Sequence, residues 1–403
     1  MRVRRAWLTA LASAVLVSSA VLVSTAVLVS TASVNAAEAA GALVSPAAAA
    51  HTGSLDAVAA VSASDVWAVG FSYHGATYTA MTEHWTGHRW AVVVPPVPAG
   101  VTDSYLYAVT AVSASDVWAT GYTTTGTVAS PLTEYWDGTQ WSVVTAPVPA
   151  GVSGADLYAV DAVSASDVWA TGYTEPAAST LIEHWDGTQW SIVPSPDPSG
   201  AVSSWLYGVS GSSATDAWAT GAWSDGLTTA TLTEHWDGTQ WSVVPSPSPG
   251  GTGAVTALEA VHDGPSGPAW AAGYRYAGSA ARTVTEHWNG QRWKVVASPN
   301  PAGVQAASLV SLAPVPGGGL WAAGDSTNAN SVTRTVAEHW TGQAWQLTPT
   351  PNPHGSSDAS LTGVAAVSGH NVWAVGYSWN GSATHAIAEH WTGHAWKLVT
   401  VPS

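Results

Sequence analysis

Short runs of apolar residues, four to a set, recur along the chain from position 54 to its end. One set shows the pattern. "LYAVTAV" (106–112) predicts a strand A, and "DVWATGY" (116–122) predicts strand B after the turn Ser113-Ala114-Ser115. "SPLTEYW" (130–136) predicts strand C. "WSVVTAP" (141–147) predicts strand D, closed by prolines that cannot donate to a ladder. No stretch in the sets carries a helical period. Strand B is apolar on both sides, as a strand covered on both faces must be.

The sets are copies of one unit. The Trp of "VWAVG" or its equivalent falls at 67, 118, 169, 218, 270, 321 and 373, at intervals of 51, 51, 49, 52, 51 and 52 residues. A Leu stands twelve positions before each: Leu55, Leu106, Leu157, Leu206, Leu258, Leu309 and Leu361. Seven repeats of four short antiparallel strands, about 51 residues each, predict an all-β chain folded as a seven-bladed β-propeller.

Each repeat ends in a near-constant phrase, "EHWDGTQW" at 183–190 and 234–241 and close variants in the other five. Its glycine suits a two-residue hairpin turn such as Gly187-Thr188, which sets Trp185 directly opposite Trp190. The Glu shares a strand face with the first Trp, and the His takes the other. Equivalent positions in adjacent blades stand roughly 10 Å apart. Histidines so placed cannot converge on one metal, whose ligand bonds are about 2 Å long. Tyr135 takes the place of His in the second repeat. The phrase therefore reads as a folding device, with each Glu expected to accept hydrogen bonds from backbone or indole N–H groups of its own blade.

Composition sharpens this picture. The chain of 403 residues has no Cys, 25 Trp and only 9% charged residues, which fits a rigid, heavily packed β protein without disulfides or thiolate metal sites. Residues 1–36 differ: Arg2, Arg4 and Arg5 precede a long apolar, Ser/Thr-studded run, and Val34-Asn35-Ala36 resembles a signal-peptidase site. They read as an export signal, with an uncleaved anchor as the rival, and Arg4-Arg5 loosely resembles a twin-arginine signal. Residues 37–53 read as a small-residue linker and 54–403 as the propeller. Cleavage after Ala36 leaves seven cations (Arg89, Arg275, Arg282, Arg292, Lys294, Arg334, Lys397) against 26 Asp and Glu, so 7 − 26 = −19. That balance excludes nucleic acid and anionic membranes as partners and suits a secreted, extracellular monomer. No cofactor motif, metal site or calcium loop is present.

The repeats resemble kelch-type and galactose-oxidase-like propellers, in which strand B ends in glycine and an aromatic on strand C faces a Trp opening strand D. They depart by carrying one glycine (Gly70, Gly121, Gly172) where kelch repeats carry two. They are also similar to secreted actinobacterial repeat proteins worded "SxxDVWAVG". The resemblance implies the propeller fold and no particular activity.

Function is sought where the repeats diverge. The C–D turns are nearly identical, whereas the B–C and D–A loops on the opposite face differ in every repeat. There stand Trp205, Trp223, Trp379 and Tyr105, with Tyr73, Tyr78 and Tyr276, aromatics suited to stacking on sugar rings or a flat partner. A second candidate is the channel mouth. The residue after the repeated Leu is Asp56, Tyr107, Tyr158, Tyr207, Glu259, Val310 and Thr362 in order: three tyrosines on one arc and two carboxylates elsewhere. Further along strand A, Asp161 and His262 also face inward. The expected function is non-enzymatic binding of carbohydrate or a cell-surface protein. One alternative is a structural docking propeller of the cell envelope. The other is a glycoside hydrolase or lyase using Asp56 and Glu259 as acid and base.

Overall fold

A computed structural model of the chain describes residues 52–264, 267–278 and 280–402. The export signal and all but the end of the predicted linker lie outside the described residues. Every regular element among them is a β-strand. The first group is β1 to β4 (Gly53–Ser62, Asp65–His74, Thr77–Trp85, Trp90–Val93). Next are β5 to β8 (Asp103–Ser113, Asp116–Thr125, Val128–Trp136, Trp141–Val144) and β9 to β12 (Gly154–Ser164, Asp167–Glu175, Thr180–Trp185, Trp190–Val193). They are followed by β13 to β16 (Ser203–Ser213, Asp216–Ser224, Thr229–Trp236, Trp241–Val243) and β17 to β20 (Val255–Gly264, Gly267–Ala277, Ala280–Trp288, Trp293–Val296). The last are β21 to β24 (Val304–Pro314, Leu320–Asn328, Thr333–Trp340, Trp345–Thr348) and β25 to β28 (Asp358–Ser368, Asn371–Trp379, Thr384–Trp391, Trp396–Val399).

Within each group the strands pair antiparallel in chain order. Single parallel contacts, Thr229↔Val255 and Thr333↔Asp358, join two pairs of groups into eight-stranded sheets. The predicted strands A to C are present and longer than expected. Strand D is shorter: β8 stops at Val144, before Pro147.

The first strands of the groups form a closed circuit: β1 lies against β5, β5 against β9, and so on through β13, β17, β21 and β25, which returns to β1. Among the described residues no strand is shared between the chain ends. Gly53 pairs with Ser72 of its own group. Thr362 Oγ1 donates to the Leu55 carbonyl at 2.7 Å across the closing seam, and Val399 and Val401 pack against the core that holds Leu55 and Trp373.

The cores lie between groups rather than inside them. Trp67 packs on Trp136 (4.7 Å) and edge-on to Trp141 (5.2 Å) of the next group. Trp118 meets Trp185 and Trp190 in the same geometry, and Trp321 meets Trp391 and Trp396. Trp373 of the last group meets Trp85 (4.7 Å) and Trp90 (5.3 Å) of the first. Each such aromatic pair adds about 0.5–1.5 kcal/mol beyond area burial. Most of the Trp therefore have one cause, a recurrent three-indole seam.

The constant phrase is resolved at atomic level. Trp185 and Trp190 are direct partners, and Gly187, at φ +92°, takes the first central position of a two-residue turn between them. Asp186 Oδ1 accepts bonds from the Thr188 N–H (2.8 Å), the Thr188 hydroxyl (2.6 Å) and the Gln189 N–H (2.9 Å). The His stacks on the strand-B Trp of its own group: His84 on Trp67 at 4.2 Å and 10°, His390 on Trp373 at 4.2 Å and 14°. Its Nε2 meets Asp65, Asp167 or Asp216 at 2.7–2.8 Å. Tyr135 fills the slot in the second group, its hydroxyl donating to the Ser115 carbonyl at 3.4 Å.

The Glu residues correct the sequence expectation. All seven are fully buried. Glu234 accepts from Ser195 Oγ at 2.9 Å and Glu338 from Ser298 Oγ at 2.9 Å, hydroxyls of the preceding group and not N–H groups of their own. At Glu234 and Glu338 the face that carries Glu is pressed on the neighbouring group, so the partner comes from there. Replacing Asp167 by Ala is expected to cost about 1 kcal/mol through loss of the bond to His184. A calorimetric midpoint unchanged by Asp167→Ala would remove that bond from the account.

Candidate functional site

The channel-mouth position has a backbone reason for being special. In every group the first strand slips register at the residue after the repeated Leu. Leu55 pairs with Gly70 and Ala57 with Val69, so Asp56 is extra. The same slip leaves out Tyr107, Tyr158, Tyr207, Glu259, Val310 and Thr362. A bulge frees a residue from strict alternation and re-aims its side chain. It also brings backbone onto the strand-B glycine: a Cβ on Gly172 would stand 1.8 Å from the Asp156 carbonyl oxygen. The Leu, the bulge and the single Gly are one device, repeated around the ring.

On the arc from β5 through β9 to β13 these bulge residues join a tyrosine cluster. Tyr107 stacks on Tyr158 (5.1 Å, 16°), and Tyr158 meets Tyr207 edge-on at 6.1 Å. Tyr105 stacks on Tyr122 (4.8 Å) and meets Phe71 edge-on (5.2 Å), and Tyr158 and Tyr173 approach hydroxyl to hydroxyl at 3.3 Å. Tyr105 and Tyr107 are buried, at 6% and 8% exposure, while Tyr158 and Tyr207 are half-buried. Burial pushes Tyr122 up to about 12, a hydrogen bond with Tyr107 pulling the other way. Asp156 is buried beside the cluster. Burial first, then the charge of Glu175, pushes its carboxyl up to about 7, against a lowering hydrogen bond from Tyr173. The phenols are thereby held neutral as donors, next to a carboxyl that titrates near neutrality.

Sequence reading missed Phe71, Tyr122, Tyr173, Asp156 and Glu175. A signal was available. Phe71, Tyr122 and Tyr173 directly follow the strand-B glycine, and Asp156 directly precedes the repeated Leu; cross-strand register then places Tyr105 opposite Tyr122 and Asp156 opposite Tyr173.

The three tryptophans singled out from the loops are strand residues. Pairing continues past the expected ends: Trp205 is opposite Ala222, Trp223 opposite Ser204, and Trp379 opposite Asp358. All three are half-buried, and Trp223 leans on the core between its group and the preceding one. None stacks on another aromatic ring among the described residues, so they do not form one platform. Exposed apolar residues stand near two of them: Val202 (66%) and Leu227 (74%), in the loops either side of β13–β14.

The two carboxylates of the ring differ. Asp56 is buried at 5% exposure and accepts from Ser54 Oγ at 3.1 Å; Glu259 is half-buried. Further along, Asp161 Oδ2 accepts the Gly211 N–H at 2.8 Å, and burial pushes its carboxyl up to about 6 and His262 down to about 4. On the constant-turn face, a cleft of about 380 Å³ is lined by Asp167, Trp169, His184, Ser164, Ser166 and Trp236. Its groups are those that hold the seam together.

No protein-family model and no curated protein sequence matches the chain. Solved structures do match. YCF48 bound to D1 peptide aligns with TM-score 0.51 at 13% identity, covering 85% of this chain and 93% of that one. An ulvan lyase, a polysaccharide lyase, aligns with TM-score 0.58 at 8% identity over 87% and 96%. Its complex with -[GlcA(1-4)Rha3S]- aligns equally well at 9% identity. Identities this low carry the fold alone. In fold, this chain is a β-propeller similar to theirs.

Proposed function

We propose that the chain is a seven-bladed propeller, one blade per repeat, exported from the cell, that binds carbohydrate at the channel mouth on its variable face without transforming it. The observation that carries this reading is the bulge ring. Five of the features at that position are uniform, namely the slip, the Leu, the Gly, the small following residue and the strand. The freed side chain alone is not: Tyr107, Tyr158 and Tyr207 gather on one arc. Adjacent phenols with one half-buried face suit the apolar side of a sugar ring, and their hydroxyls suit its polar edge.

Asp56, at 5% exposure, weighs against an acid–base pair with Glu259, so a hydrolase or lyase reading is not adopted. A protein partner is the second reading, favoured by Val202 and Leu227, which expose apolar surface beside Trp205 and Trp223. A glycan array probed with the wild type, Tyr158→Ala/Tyr207→Ala and Trp205→Ala/Trp223→Ala/Trp379→Ala separates these. Glycan binding that the tyrosine variant loses by tenfold or more is the expected result. Binding lost only in the tryptophan variant moves the site outward to the rim. No glycan binding by the wild type rejects the reading in favour of a protein partner.

A further inference from the structure

The variable face carries a second asymmetry that the tyrosine arc does not explain. In the register of strands B and C, one cross-strand pair near this face is Ser72↔Thr79, Thr123↔Ser130 and Trp223↔Ala230 in earlier groups. In β18 and β19 the same pair is Arg275↔Arg282. In the next group it is Ser326↔Arg334, and in the last Ser378↔His385. The chain is poor in cations: beyond residue 36 it has only the seven named above. Three of the seven stand on this arc, two of them face to face.

Directly opposed like charges on paired strands destabilise a sheet. Arg275 makes no salt bridge among the described residues, where such pairs join His to Asp. Carboxylates of the same arc are engaged by neutral donors: Asp325 by Ser360 Oγ at 2.9 Å, Asp358 by the Thr333 N–H at 3.0 Å. Arg282 and Arg334 are nonetheless fixed in place. Arg282 Nη1 donates to the carbonyls of Ala281 (2.7 Å) and Gln305 (2.9 Å). Arg334 Nη1 repeats this with Thr333 (2.9 Å) and Ser357 (3.1 Å). A guanidinium has five N–H donors on three nitrogens. Both arginines are thus pinned through one nitrogen, leaving Nη2 and Nε to meet a ligand, and pre-organisation of that kind lowers the entropy cost of binding.

Resting on the carbohydrate reading above, we propose that the ligand is an anionic polysaccharide. Its carboxylate or sulfate groups are bound by Arg275 with Arg282 and, one blade on, by Arg334. An anion between Arg275 and Arg282 converts a repulsive pair into two charge-assisted bonds. A polymer with a charge on each repeat engages both blades at once, which multiplies weak single contacts. The net charge of −16 does not prevent this. At physiological ionic strength charges more than about 8 Å away are largely screened, so the local cations govern the site.

The test measures binding of the purified protein to polygalacturonate oligomers (carboxylate), dextran sulfate (sulfate) and neutral dextran, at about 50 and about 300 mM salt. Arg275→Gln and Arg334→Gln are compared with the wild type, with thermal midpoints recorded in parallel. The expected result is binding to a charged polymer that weakens with salt and falls at least tenfold in Arg275→Gln. The ligand-free midpoint of that variant should be equal to or above wild type, because the repulsion has gone. Preference between the two charged polymers identifies the anion. Charged polymer bound equally by wild type and both variants overturns the proposal. Neutral glycans bound and charged ones refused overturn it while leaving the carbohydrate reading intact; no glycan bound at all overturns both.

Discussion

Lowering the pH from 8 to 5 is expected to raise the thermal midpoint of this protein, the reverse of ordinary acid denaturation. The cause is the fully buried Glu of the constant phrase. Burial pushes Glu134, Glu183, Glu234, Glu286, Glu338 and Glu389 each up to about 8, against lowering hydrogen bonds from Ser195 at Glu234, Ser298 at Glu338 and Thr335 at Glu389. In the unfolded chain the same carboxyls ionise near 4.3. Between those values the folded state binds more protons than the unfolded state, so stability falls as pH rises through the window and levels off above about 8. Below about 4 both states are protonated and the contribution is fully present. Each extra proton held by the folded state gives a slope of about 1.4 kcal/mol per pH unit, and six sites work in the same direction. His287, His339 and His390, lowered by burial, oppose the trend once the pH drops below the usual imidazole range. Scanning calorimetry from pH 5 to 8 checks the slope. Glu183→Gln, which imitates the protonated side chain, should match wild type at pH 5 and exceed it at pH 8. A midpoint that falls on acidification, or a Glu183→Gln variant that is weaker at every pH, would show the carboxylate to be the stabilising form.

Gly172→Ala should be among the most damaging single-methyl changes available. The new Cβ would meet the Asp156 carbonyl oxygen at 1.8 Å and the Leu157 Cα at 3.0 Å, both backbone atoms of the bulge. No side-chain rotation relieves that contact, so either the bulge or the strand pairing must yield. A cost of at least ~3 kcal/mol follows, a fall of at least roughly 4 °C in the midpoint of a unit this large. Gly200→Ala is the control: φ there is +87° with nothing within 4 Å, so only backbone strain of about 1 kcal/mol is added. Equal losses in the two variants would refute the close-approach account. Because the displaced backbone bears Asp156 and Tyr158, Gly172→Ala should also disturb the tyrosine arc.

Much of the fold was legible because it repeats. A spacing of about 51 residues, alternation within four runs and a paired Trp hairpin each specify local structure, and they agree with one another. What could not be read was anything set by the neighbouring blade. The partner of Glu234 is Ser195, thirty-nine positions earlier and in the preceding group. The bulge at Tyr158 was invisible because one skipped residue changes register without changing composition. For the site, inspection of the residue after Leu found Tyr107, Tyr158 and Tyr207. Asp156 and Tyr173 belong to the same cluster but come from the residue before Leu and from the end of strand B, which meet only once pairing is known. Trp223 and Trp379 were placed in loops because the apolar pattern fades there, although the backbone ladder continues.

The seam between Trp373 and the pair Trp85 and Trp90 has the same rings, distances and angles as the seams inside the chain. The molecule therefore has no built-in beginning. Circular permutants that link residue 402 to residue 52 and open any other D–A loop would present the same set of interfaces. Gene duplication and recombination could add, lose or reorder whole repeats with every new junction already fitted, leaving only the freed bulge residues and the loop ends to distinguish one copy from the next.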